Sequence, residues 1–392
     1  MKKIILTLIA IVATSSLFAQ NSIDELLNTI EQNNTTLKAL RESADAQKLG
    51  QRTGLSLPDP EIGFNYLWGN PSTIGKRQDL SIKQSFDFPT ITGLKRKVAD
   101  QQNKLVDWQY KADRMSLLLE AKNYDLDWIY YNSLVDELTL RLAHAEAIAV
   151  GQKERLKSGE GNILEYNNAQ LNLSNVKGEI SRIETERNNA LSQLTRLNGG
   201  KVPSFNPSRF EAIDMPIDFL QWYSIAEEKN PILSYVKQEV ELSKKQVALS
   251  RSMGLPTLST GYMSEKVVGQ RYQGVSIGIS IPLWSNKNRV KQAKSAVRAA
   301  ESRKIDTKQQ FFIQLQTLYS RTLGLKKVAE TYRTSLKNAN NSTLLKQALD
   351  SGQISMLDYI VEVGLYYNTI DQALKAELDY QKAFAELSAV EL

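Results

Sequence analysis

Two hydrophobic periods alternate along this chain. In EIGFNYLW, Ile62, Phe64, Tyr66 and Trp68 alternate with Glu61, Gly63, Asn65 and Leu67; in DLSIKQSFDF, Leu80, Ile82, Phe86 and Phe88 alternate with polar positions, Gln84 being the one break. The second half offers a weaker run in TLSTGYMS (257–264), with Leu258 and Tyr262. It then offers VSIGISIP, where Val275, Ile277, Ile279 and Ile281 oppose Ser276, Gly278 and Ser280. A period of two gives each predicted strand one apolar side and one small or polar side. Elsewhere the period is helical. Val176, Ile180, Ile183, Ala190, Leu191, Leu194 and Leu197, interrupted by Arg187, recur roughly every 3.5 residues and predict coiled-coil packing over 162–198.

Proline separates the two patterns. All ten prolines lie between Pro58 and Pro89 or between Pro203 and Pro282. The proline-free stretches 90–202 and 283–392 are rich in Ala, Leu, Lys, Glu and Gln, and read as long helices. The two halves also repeat each other. KSGEGNILEY (157–166) aligns with DSGQISMLDY (350–359), pairing Gly159 with Gly352, Leu164 with Leu357, Glu165 with Asp358 and Tyr166 with Tyr359. The same offset pairs Pro89 with Pro282, and slightly larger ones pair Leu57-Pro58 with Leu255-Pro256 and Asn34 with Asn230. Residues 90–158 and 283–351 precede the two glycine turns. At roughly 1.5 Å per residue, each arm reaches about 100 Å. Such a duplication constrains architecture more firmly than any local motif. The expected plan is a signal peptide (1–19), then a first repeat (20–200) with a hairpin at about 60–89 and an arm at 90–198. A second repeat (201–392) follows, with a linker at about 199–222, a hairpin at about 257–282 and an arm at 283–392.

The chemistry available is narrow. The 392 residues include no cysteine and one histidine, His144, which removes disulfides, thiol nucleophiles and sites built from two imidazoles. Lys2 and Lys3, the apolar run at 4–13 and a small-residue stretch ending at Ala19 read as an export signal cleaved before Gln20. Without cysteine, a thioether lipid anchor is excluded. Cleavage leaves a net charge of about +4, too weak and dispersed for nucleic acid. No apolar run is long enough for a transmembrane helix. The strands therefore enter a membrane, or form a soluble antiparallel sheet packed on a helix, which shows similar alternation. Geometry favours the first. A long coiled coil offers no globular core for a sheet, and four strands cannot close a barrel, since known ones need roughly eight or more. Three copies sharing one barrel would supply roughly 12 strands, which predicts a homotrimer.

With these features in place, the mature chain resembles the TolC-type outer-membrane efflux family. The resemblance rests on LPDPEIGF, SFDFP followed by GLKRKVA, ISIPLW, KSGEGNILEY and DSGQISMLDY, in that order and duplicated frame. It implies a mainly α protein with a membrane β-barrel part: a trimeric α-barrel tunnel joined to a shared barrel in outer-membrane lipid. It also implies a periplasmic adaptor, an inner-membrane pump and no cofactor. The protein would then be a passive conduit for small molecules or metal cations, and LPDPEIGF looks most like the metal-efflux branches. The hairpin tip GNPSTIGKRQ (69–78) would face outside the cell.

Glycine suits the reversal of each arm because it accepts positive φ. In a trimer, Glu165 and Asp358 just beyond the turns would each become a ring of carboxylates at a constriction, favouring cations. The gate role of Asp358 comes from its match to the family's aspartate ring. The other reading is a solvated carboxylate complementing a helix dipole, and both stand. Where the family often has a second acid, this chain has Val361 with Glu362 beside it. The resemblance assigns adaptor docking to Ser158, Gly159, Gly161, Ser351 and Gly352. Tyr66, Trp68, Tyr262 and Trp284 flank strands, as an interfacial aromatic belt or as ordinary packing. Trp108, Trp128 and Trp222 fall in predicted helix and read as helix-contact residues.

Two other classes compete. GVSIG (274–278) satisfies a hydrolase string, but the nucleophile elbow needs a strand-to-helix turn at Ser276, which sits within alternating strand residues. His144, the sole histidine, lies upstream in a helix rather than downstream. Gly69 to Gly75-Lys76 misses a phosphate loop in spacing and carries Arg77 where Ser or Thr is needed. An exported periplasmic or surface coiled-coil protein explains the helices but not hairpins at matching places in both halves.

Overall fold

The computed structural model describes residues 23–284, 286–338 and 342–392. The expected export segment and its cleavage point lie outside these. The chain runs through α1 (23–33), α2 (Thr35–Gly50), β1 (Glu61–Trp68), β2 (Lys76–Phe86), α3 (Pro89–Lys157) and α4 (Ile163–Leu197). It continues through α5 (Phe219–Lys229), α6 (Pro231–Ser252), β3 (Thr257–Val267), β4 (Gln270–Ser280), α7 (Arg289–Asn338), α8 (Ser342–Asp350) and α9 (Met356–Leu387). Contacts divide it into two compact units: one of the residues up to Lys38, Asp113–Ala226 and Phe312–Leu392, the other of Ala39–Ala112 and Glu227–Phe311.

The second unit carries the sheet, antiparallel in the order β1-β2-β3-β4. The β3–β4 hairpin turns on Val268 and Gly269, with φ of 46° and 84°. A two-residue hairpin loop demands such left-handed backbone because its twist matches that of the strands. The strands outrun their alternating cores: β2 begins at Lys76, β3 reaches Val267 and β4 begins at Gln270. Charged flanks such as Arg77 and Lys266 break the hydrophobic pattern, yet ladder pairing holds them. The helices of this unit bury small residues, Ala44, Ala99, Ala293 and Ala300, with Val98, Val236 and Val240. Buried Gln101 donates to the backbone oxygen and Oε1 of Gln238 and accepts from Lys245 Nζ.

The first unit is helical and clustered. Leu134 and Leu138 of α3 pack with Ile183 of α4, against Tyr130, Ile180 and Leu374. Ala329 of α7 packs with Ala376 and Tyr380 of α9. The connecting segment after α4 is clamped along its length. Asn132 Nδ2 donates to Asn206 Oδ1 and Pro207 O, Ser133 Oγ to Ser208 O, and Gln381 Nε2 to Glu211 O. Trp128 and Trp222 are buried here, as helix-contact residues.

Asn34 and Asn230 do the same work in their separate units. Asn34 Oδ1 accepts from Leu37 N at 2.8 Å, and Asn230 Oδ1 from Ile232 N and Leu233 N at 2.8 and 3.0 Å. Each therefore satisfies a first-turn donor that a helix leaves open. The long arms start differently. α3 begins on Pro89, whose fixed φ suits the first helical position. α7 begins at Arg289, later than the proline-defined 283, because Asn288 holds φ at 65° and interrupts helical backbone. Among the described residues, no helix is long and apolar enough to cross a membrane.

Candidate functional site

The sheet has two unlike faces. Register aligns Ile62, Ile82, Tyr262 and Val275 in one row, and Phe86, Leu258 and Ile279 in another on the same face. Val275 and Ile277 on this face are 83% and 86% exposed, and Ile62, Phe64 and Ile279 are exposed as well. The opposite face carries the row Gly63, Ser81, Met263 and Gly274, and the row Ser85, Ser259 and Gly278. The outer edges of β1 and β4 have no strand beside them within the sheet. Open strand edges and an exposed apolar face are features that folded sheets ordinarily pair or cover.

The aromatic residues singled out in the sequence occupy different levels. Trp68 pairs with Lys76 at the hairpin end of β1, with the Tyr66 ring 6.4 Å away. Trp284 follows β4 at the other end and is exposed. Tyr262 lies mid-sheet, its hydroxyl donating to Gln273 Oε1 at 3.1 Å. Ser276 is mid-strand opposite Gly261, so the strand-to-helix turn of a hydrolase elbow is not formed at that residue.

The two glycine turns belong to the first unit. Gly159 and Gly352 adopt φ of 77° and 71°, the left-handed geometry that ends a helix and favours glycine. Gly159 N donates to Leu156 O, and Gly352 N to Leu349 O. The closing bonds differ: Gly161 N reaches Arg155 O, whereas Gln353 N reaches Ala348 O, both at 2.8 Å. A Cβ on Gly161 would lie 2.8 Å from Leu156 N, so glycine there is set by close backbone approach. Ser158 Oγ donates to Arg155 O, and Ser351 Oγ to Gln347 O.

Asp358 sits in a reciprocal cap. Ser355 N and Oγ both reach its Oδ2, and Asp358 N donates back to Ser355 Oγ. The Ser355 hydroxyl, then the Ser355 N–H, stabilise the carboxylate and hold its pKa below the ordinary value. Glu165 occupies the matching place in α4, whose cap is Asn162 Oδ1 accepting from Leu164 N. Glu362 lies one turn beyond Asp358 on the exposed side of α9. Beside the second turn is a cavity of about 510 Å³, lined by His144, Gln152, Arg155, Lys346, Gly352 and Tyr359 among others. Gln152 Oε1 is buried with no hydrogen-bond partner among the described residues.

Sequence reasoning missed two features of this unit. Buried Arg141 forms a bidentate pair with Asp371, at 2.9 and 2.6 Å, and donates to Tyr367 O. Its guanidinium stands 4.6 Å from the Tyr367 ring, whose hydroxyl meets His144 Nδ1 at 3.0 Å. Burial, first of all, pushes the Tyr367 hydroxyl up to about 12. The partners lie too far apart in the chain for any periodicity to reveal them. The second feature is Asp125, fully buried, neither of whose oxygens has a partner among the described residues. Burial, aided by Glu211, pushes it up to about 7, while Lys122 acts the other way. Glu211 is itself raised to about 6, by burial and then by Asp24. The folded chain thus binds this proton more tightly than the unfolded one. Its contribution to stability is fullest at acid pH and is lost as pH rises through the folded value.

Similarity to known proteins agrees with this geometry. Residues 222–390 match the family model described as outer membrane efflux protein. The alkaline protease secretion protein AprF of Pseudomonas aeruginosa is 23% identical over 332 residues, covering 79% of this chain and 68% of AprF. Among solved structures, a membrane protein from Pseudomonas aeruginosa superposes with a TM-score of 0.78 at 16% identity, covering 94% of this chain and 93% of that one. The Campylobacter jejuni CmeC outer membrane channel superposes at 0.75 and 16% identity, covering 94% and 85%. An efflux-protein family model thus matches the second half of the chain, and over nearly all of its length the chain has the fold of outer membrane channels.

Proposed function

We propose that three copies of this chain assemble into one passive conduit, each closing the β4 edge of one sheet onto the β1 edge of the next. The observation that carries this is the sheet itself, with an exposed apolar face and two open edges. Closure satisfies the edge hydrogen bonds that lipid cannot. The apolar face then meets outer-membrane lipid, with Tyr66, Trp68 and Trp284 at its two ends and Tyr262 between them. The chain reaches that membrane through a cleavable leader at 1–19 and without a lipid anchor.

The glycine turns receive a periplasmic adaptor, which couples the conduit to an inner-membrane pump. Ser158, Gly159 and Gly161 form one docking turn, and Ser351 and Gly352 the other. The cavity beside Gly352, with walls of mixed polar and apolar side chains and a Gln152 Oε1 unpartnered among the described residues, supports a side-chain seat at that point. Glu165, Asp358 and Glu362 form the carboxylate rings of the narrow end. Cation passage follows from ring charge.

Conductance of detergent-purified protein in a planar bilayer tests this reading. The expected result is a cation-selective pore from an SDS-dissociable trimer, with selectivity reduced in Asp358→Ala. A monodisperse helical protein, soluble without detergent, would overturn it. The likeness to a protein named for alkaline protease secretion favours a second cargo class, a secreted protein. Export assays with the chain's own pump separate the two, since only one cargo accumulates inside when the channel is deleted.

A further inference from the structure

Where the sheet gives way to helices, the second unit opens a cavity of about 440 Å³. The start of α3, the end of α6 and the segment joining β4 to α7 form its walls. Ile281, Leu283 and Trp284 line it and are all strongly exposed. Ile281 extends the alternation of Val275, Ile277 and Ile279, so the apolar face of the sheet leads into this space. Two cations share the lining, Lys95 and Arg289. Lys95 is answered by Asp87, 2.5 Å away. Arg289 is not answered in this way. Its Nη1 donates to Met253 Sδ at 3.2 Å, a weak acceptor, and it meets no carboxylate among the described residues. At the hairpin end, by contrast, Arg77 Nε has Asp79 Oδ1 at 2.8 Å and Glu265 Oε1 at 3.2 Å.

The surroundings add charge of one sign. Arg96 and Lys97 follow Lys95 on α3, and Lys287, Lys291 and Lys294 bracket Arg289. All five are exposed, and among the described residues none forms an ion pair. The acids toward this end of the sheet are few. Asp87 is taken by Lys95, Glu61 faces Lys83 in register, and Asp100 stands 3.9 Å from Arg52, which leaves Asp59. α7 also carries Arg289 and Lys291 in its first turn with no acid there, which opposes its own dipole. An anion seated among these groups offsets that repulsion. A free anion would use the cations and leave Ile281, Leu283 and Trp284 in water. An acidic phospholipid uses both.

We propose that this cavity seats the headgroup phosphate of an acidic phospholipid, with Arg289 as its chief ligand and the flanking lysines around it. The acyl chains then lie along Ile281, Trp284 and the apolar face of the sheet. This rests on the membrane reading above. A guanidinium suits the phosphate because it can donate two parallel hydrogen bonds, and tryptophan suits the headgroup level beside it. Each copy carries one seat, which ties the starts of α3 and α7 to the leaflet on the helix side.

Native mass spectrometry of the detergent-purified full-length protein reads bound lipid directly. With phosphatidylglycerol and phosphatidylcholine added in equal amounts, the first should be retained roughly tenfold over the second. Arg289→Gln with Lys291→Gln should bring the ratio toward one, while Arg289→Lys keeps most of the preference. Lys76→Gln with Lys266→Gln, at the hairpin end, should leave it unchanged. Trp284→Ala should weaken retention of both lipids. Excess inorganic phosphate should fail to strip the phosphatidylglycerol. A parent ratio near one, or equal losses from the two double variants, overturns the proposal, because net charge and not a seat would then be at work. Displacement by inorganic phosphate overturns it too, in favour of a free-anion site. Ile277→Cys in proteoliposomes, probed with a water-soluble thiol reagent, is the control for the membrane reading. If that thiol is shielded while the lipids are not distinguished, the seat alone fails. If it reacts freely, the membrane reading fails with it.

Discussion

At the first glycine turn, α4 starts from Asn162, and the residues after it, Ile163 and Leu164, stay 52% and 64% exposed. At the second, Ser355 and Asp358 cap each other, and Met356, Tyr359 and Val363 are buried against Ile148, Leu345 and Leu349. The strings NILEY and SMLDY are closely alike, and both arms reverse on a left-handed glycine. What separates them is support. The first turn is held chiefly by its own backbone and by the close approach at Gly161. The second is also anchored in an apolar cluster that joins α3, α8 and α9. Equivalent positions in a duplicated frame therefore carry different energetic weight, because burial belongs to the surroundings rather than to the motif.

The largest expected contrast is between the paired tyrosines. Tyr359 is 4% exposed, whereas Tyr166 is only half-buried. Tyr359→Ala should lower stability by about 3–4 kcal/mol, and Tyr166→Ala by about 1 kcal/mol or less. Denaturant unfolding of the detergent-solubilised protein reads both, and equal losses would break the comparison. Next come the glycines. Gly161→Val brings a branched side chain against the backbone of Leu156 and should cost roughly 2 kcal/mol. Gly352→Ala meets open space but retains positive φ, for about 1 kcal/mol. Protease cleavage at the turn should rise more for Gly161→Val than for Gly352→Ala.

The caps give smaller effects. Ser355→Ala should cost about 1 kcal/mol and expose the first turn of α9 to amide exchange. It also leaves the Asp358 carboxylate without the hydroxyl that stabilises it most. The smallest effect is one of pH. Because folding lowers the pKa of Asp358, its support is present above the ordinary carboxylate pKa and is lost as pH falls through the folded value. Exchange at the Tyr359 amide should therefore quicken in acid relative to the intrinsic rate. Asp358→Asn should remove that acid-dependent part.

Much of this architecture was legible before any coordinates. Alternation at Ile62–Trp68 and from Val275 onward foretold strands with one apolar face, and the spacing of prolines foretold the first long arm, α3, whereas the second, expected over 283–351, divides into α7 and α8. Gly159 and Gly352 foretold the reversals. All of these are local matters: a period, a missing amide hydrogen or a missing Cβ acts within a few residues of itself. The Ser355–Asp358 box was equally open to reading, since its partners stand three apart. Arg141 and Asp371 were not, nor were Arg77 and Glu265. Each pair meets only after distant segments dock, in a register set by helix packing or strand pairing. The same holds for buried Asp125, whose raised pKa comes from exclusion of water and the neighbouring Glu211. The sequence by itself determined the elements, their turns and which side of each strand is apolar, because these follow from backbone chemistry and side-chain period. Tertiary structure alone decided which charges meet, which tyrosine is buried and where a cavity opens, because those depend on the whole chain excluding water together.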